Sequence, residues 1–137
     1  MDHPAFETWS VAQAVVVRAP DGATVRPLAV LAGQGSLAQF ELPPGGVSQA
    51  VSHATVQEIW HVTQGTGQIW RRQGGREEVT ALRPGTVLTV PLGTAFQFRA
   101  ATDSPPLQIT AVTMPPWPDV DTEARPERGP WAANLTH

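Results

Sequence analysis

The chain has 137 residues, 41% of them hydrophobic, a net charge of −3, and no Cys, Lys or Tyr. Without Cys there can be no disulfide framework, thiolate zinc site, iron–sulfur cluster or cysteine nucleophile; without Lys there is no Schiff base and no phosphate-binding P-loop lysine. The negative balance argues against nucleic acid as a partner, and no apolar run is long enough to cross a bilayer.

The length fits one domain with a single closed core. The opening MDHPAFETWS lacks a basic region followed by an apolar stretch, so a cytoplasmic location is expected. Asn134-Leu135-Thr136 has the form of a glycosylation sequon, and without an export signal it reads as chance.

In chain order, residues 1–12 read as an irregular arm. Short segments rich in Val, Leu, Ile, Thr, Phe and Trp follow at 15–18, 25–31, 36–42, 50–54, 58–64, 67–72, 78–82, 86–90, 96–100 and 107–114. Glycines and prolines separate them, as in Pro20-Asp21-Gly22, Pro43-Pro44-Gly45-Gly46, Gly65-Thr66-Gly67, Gly74-Gly75 and Arg83-Pro84-Gly85. Many short strands with regular turns and no helical periodicity predict an all-β sandwich or barrel over 13–114. Residues 115–137 are proline-rich and without strand pattern. Trp117 and Trp131 predict a tail that is irregular yet packed against the barrel or a partner chain.

Two spacings then stand out. The first runs Gly45, five residues, Val51-Ser52-His53, four residues, Glu58, six residues, Gly65. The second runs Gly85, five residues, Pro91-Leu92-Gly93, two residues, Phe96, three residues, Ala100. In this the chain resembles the cupin superfamily, specifically its small single-domain bacterial members, which implies a double-stranded β-helix, a jelly-roll-like barrel. The resemblance also implies a divalent metal (Mn, Fe, Ni or Zn) on two histidines, a glutamate and a third histidine. Those positions fall on Val51, His53, Glu58 and Phe96, so only His53 and Glu58 keep a donor. Any metal is therefore expected to be weakly bound or absent.

Strand alternation restricts substitutes. If Glu58 points inward, so do Trp60 and Val62, while Ile59 and His61 point out. Gln49 would share the inner face with Val51 and His53, and Gln97 would face out unless a bulge shifts it. His3 or His137 could arrive only from a terminus or a neighbouring subunit. The expected pocket is Gln49, Val51, His53, Glu58, Trp60, Phe96 and Phe98. A small, mostly apolar ligand with one polar handle suits it. The plainest alternative makes His53 and Glu58 an inward polar pair, hydrogen-bonded to each other or to water.

Three functions follow. The first is a small-molecule-binding cupin with a degenerate metal site. The second is an enzyme of isomerase, epimerase, lyase or dioxygenase type acting on a small carbonyl or carboxylate compound, with a metal on His53 and Glu58 or with His53 as a metal-free general base that Glu58 orients. The third is a structural barrel with a packed interior. The charged hairpin from Arg71 to Glu78 reads as a solvated turn. Outward His61 and Trp70 suggest an apolar face, and the resemblance implies a homodimer.

Overall fold

A computed structural model describes residues 3–135. After a 3-10 turn at Val11–Gln13, eleven strands follow. They are β1 Val17–Arg18, β2 Thr24–Leu31, β3 Gly35–Leu42, β4 Val51–His53, β5 Gln57–Gln64, β6 Gly67–Gln73, β7 Arg76–Leu82, β8 Val87–Val90, β9 Ala95–Ala100, β10 Leu107–Met114 and β11 Ala124–Pro126. Ten of these match the segments expected from the sequence, and β11 is an addition from the tail.

The strands form two antiparallel sheets, one ordered β1-β2-β3-β10-β5-β8 and the other β11-β4-β9-β6-β7. Each sheet mixes strands distant in sequence, which is the jelly-roll arrangement. Period-two burial fixes the inner faces. Along β5, Glu58, Trp60 and Val62 are buried while Ile59 and His61 are exposed. Leu107, Ile109 and Ala111 of β10 and Ile69 of β6 join Trp60, Phe96 and Phe98 in one core. Pro27 sits within β2 opposite Ala38, next to a register shift that leaves Leu28 without a β3 partner. At Gly67 the β9 backbone comes so close that an added Cβ would strike the Arg99 carbonyl.

Residues 115–135 are irregular but anchored. β11 pairs with the edge of β4, placing Ala124 opposite His53 and Pro126 opposite Val51. Farther along, Trp131 packs against Ala50, Trp70 and Ala95, with the Arg99 guanidinium 4.1 Å from its ring centroid. Arg72 pairs with Glu127 at 3.0 Å and Ser52 donates to the same carboxylate. The tail thus covers Trp70, which is buried rather than part of an exposed face. His61 and Trp70 also belong to different sheets, so they form no common patch.

Candidate functional site

β4 and β9 carry Val51 and Phe96 as direct cross-strand partners. Two residues beyond Val51, His53 meets the Phe96 ring edge-on at 5.3 Å between centroids. The tail closes over its other side, with Trp117 edge-on at 5.1 Å. From the opposite sheet, β5 contributes Glu58, whose Oε1 accepts a hydrogen bond from Trp60 Nε1 at 2.8 Å. Trp60 in turn packs edge-on against Phe40, Phe96 and Phe98.

Val51, His53, Glu58 and Phe96 line a cavity of about 600 Å³, together with Phe40, Ala38 and Val25 of the large sheet. Trp60 and Phe98 stand behind this wall, fully buried. Gln49 does not join it. β4 begins only at Val51, so the alternation does not reach back to 49. Gln49 lies exposed and donates to the Leu135 carbonyl. Gln97 faces out of the barrel as expected and is nevertheless buried, because the tail packs over it: its amide donates to the Ser48 and Trp131 carbonyls and accepts from Trp131 N. His3 is exposed and His137 lies outside the described residues.

His53 Nδ1 and Glu58 Oε2 are both buried without a hydrogen-bond partner in the protein. The two residues are therefore not bonded to one another. Burial pushes the Glu58 carboxyl up to about 8, with the indole hydrogen bond opposing and the negative charges of Asp21 and Glu123 adding to the rise. Burial holds His53 down to about 4, against the attraction of Glu123. Near neutral pH the cavity lining therefore carries a carboxylic acid and a neutral imidazole.

Three further participants carry no signal in the sequence. Glu123 is buried, and its carboxylate accepts from the Thr55 hydroxyl and the Thr55 and Val56 amides. Burial pushes its carboxyl up, but those hydrogen bonds prevail and hold it below the usual range. Thr113 of β10 lies directly across from Glu58, and Ser36 of β3 directly across from Thr113. The hydroxyls of Ser36 and Thr113 share a hydrogen bond, and Trp117 N donates to Ser36 Oγ.

The donor set does not fit a resident metal. Two of the four positions that the family resemblance assigns to ligands are the hydrocarbon side chains Val51 and Phe96, which face each other across β4 and β9. Among the described residues no three His, Asp or Glu side chains gather into a possible metal site.

Residues 38–113 match the family model of the cupin domain. The chain belongs to the cupin family. No curated protein matches it. Among solved structures, this cupin resembles KdgF from Halomonas sp., with a TM-score of 0.71 at 16% identity over 84% of this chain and 98% of that one. A Streptomyces Pac13 variant with uridine gives 0.70 at 12% identity, covering 90% and 92%; Pac13 is described as a nucleoside dehydratase. Bacillus subtilis oxalate decarboxylase gives 0.66 at 18% identity over 82% of this cupin and 31% of its own chain. That protein has Mn(II) centres. At these identities the likeness is one of fold.

Proposed function

We propose that this cupin binds a small, mostly apolar organic molecule by one polar group, at His53 and Glu58. The observation that carries the reading is a pair of buried polar atoms, His53 Nδ1 and Glu58 Oε2, that no protein group satisfies, on residues lining an otherwise largely apolar cavity. Such atoms are costly unless a bound group completes them. A cavity of about 600 Å³ is in the range for small-molecule sites and speaks against a merely packed interior. The metal-dependent alternative would need donors at 51 and 96, where Val and Phe stand.

The test is ligand-observed NMR with hexanal, acetophenone, hexanoic acid and benzyl alcohol. The wild type is compared with the double variant His53→Leu, Glu58→Leu, whose apolar replacements should preserve the fold. Binding to the wild type that disappears in the variant supports the reading. Equal behaviour of the two proteins refutes it.

A metal-free enzyme is the second reading, favoured by the opposite displacement of the two titrations. A neutral His53 can take a proton while Glu58 can give one, the division of labour expected of an acid–base pair. Deuterium incorporation next to the carbonyl of a bound ketone in heavy water, lost in Glu58→Leu, would support it. No exchange above the buffer rate would reject it. We further infer one cytoplasmic cupin domain per chain, associating as a homodimer. Ile59 and Val112, which are exposed cross-strand neighbours on the outer face of the large sheet, support that contact.

A further inference from the structure

The two oxygens of Glu58 are not equivalent. Oε1 accepts from Trp60 Nε1, and an indole nitrogen can only donate, so that oxygen is fixed as an acceptor. A proton on this carboxyl therefore sits on Oε2, the oxygen that has no protein partner. The neighbouring side chains do not take it up. Across β8 stands Val90, and across β10 stands Thr113, whose hydroxyl is already shared with Ser36. Nor is Glu58 paired with a cation, since the salt bridges among the described residues join arginines to Glu78 and Glu127.

Charge around the cavity narrows the ligand further. Besides His53 and Glu58, the charged groups lining it are Arg18, Asp21, Asp119 and Asp121. Arg18 is exposed and already donates to the Gly22 carbonyl. Glu123 adds a buried carboxylate whose negative charge acts on both His53 and Glu58. An anionic ligand would enter a region where acids outnumber the one guanidinium, and it would lose its hydration in an apolar chamber.

We propose that the cavity selects an uncharged carbonyl compound with an apolar body, a ketone, aldehyde or ester, whose oxygen accepts a hydrogen bond from Glu58 Oε2. This rests on the binding function proposed above and names its ligand class. Trp60 is the positioning residue, since it holds Oε1 and so leaves the O–H to the ligand. The side chain of Gln reproduces that pattern, with its oxygen accepting from Trp60 and its NH2 replacing the O–H. The two differ in one respect: Gln does not ionise.

The experiment is titration of acetophenone, benzoate and benzylamine, monitored by amide NMR shifts, with the wild type and Glu58→Gln at pH 7 and at about pH 9. The higher pH lies above the value of about 8 to which Glu58 is pushed. The expected result is that acetophenone binds the wild type most tightly at pH 7 and about tenfold more weakly at the higher pH, while Glu58→Gln binds it equally at both. Preference for benzoate or benzylamine would overturn the ligand class and leave the binding function standing. Wild-type affinity for acetophenone unchanged by pH would overturn the role of the Glu58 proton. Binding of none of the three probes would overturn the ligand class and the binding function together.

Discussion

Glu58→Gln should change how stability depends on pH, and the two buried groups fix where. In the folded protein Glu58 keeps its proton up to about 8, whereas the unfolded chain releases it near 4.5. Between those values unfolding releases a proton, so stability falls as pH rises. His53 works in the opposite sense. It stays neutral in the fold down to about 4 but takes up a proton near 6.5 when unfolded, so its contribution to stability rises with pH across that window. From 4.5 to 6.5 the two slopes cancel, and from 6.5 to 8 Glu58 acts alone. At about 1.4 kcal/mol per pH unit, that last interval costs the wild type about 2 kcal/mol. In Glu58→Gln the loss disappears, and the rise due to His53, about 3 kcal/mol, becomes visible between 4.5 and 6.5. Urea denaturation at half-unit pH steps measures both profiles, and carboxylates common to the two proteins drop out of the difference. Parallel profiles across 6.5 to 8 would refute the assignment of a buried, proton-bearing Glu58.

Other perturbations follow from the same geometry. Glu123→Ala removes the acceptor of the Thr55 and Val56 amides. It should cost about 2 kcal/mol or more in urea denaturation, and it should speed proteolysis of the tail around Val120, since β11 loses its neighbouring anchor. Gly67→Ala drives a Cβ into the Arg99 carbonyl, which should lower stability by about 3 kcal/mol through forced separation of β6 and β9. Val51→His with Phe96→His places imidazoles on two directly paired positions beside His53. Elemental analysis after incubation with nickel or zinc should show metal uptake rise toward one per chain over the wild type. No rise would mean that these positions do not converge on a common point.

The barrel was legible because its signals are local. Alternation along β5 put Glu58, Trp60 and Val62 inside with Ile59 and His61 outside, and turn glycines and prolines set the strand limits to within a few residues. Spacing carried over from the family placed His53 beside Phe96. What the sequence hid depends on contacts between distant segments. β11 has three residues, too few for a readable alternation, and Glu123 belongs to the site only because that strand docks on β4. Gln97 obeyed its predicted outward direction yet is buried, because Trp131 lies over it from the tail. Gln49 was misplaced by extending strand alternation two residues beyond where β4 begins. The polar row Glu58–Thr113–Ser36 arises from strand registers, which no single segment encodes.

Hydrogen bonding to a ligand's carbonyl oxygen requires Glu58 to be a carboxylic acid, not a carboxylate, at neutral pH. Infrared difference spectroscopy of wild type minus Glu58→Gln tests it most directly, through the carbonyl stretch of a protonated carboxyl. This band is expected at pH 7 and should fade as pH passes about 8, giving way to the carboxylate stretch. A carboxylate band at pH 7 would contradict it, because an ionised Glu58 leaves no O–H for a ligand's carbonyl oxygen.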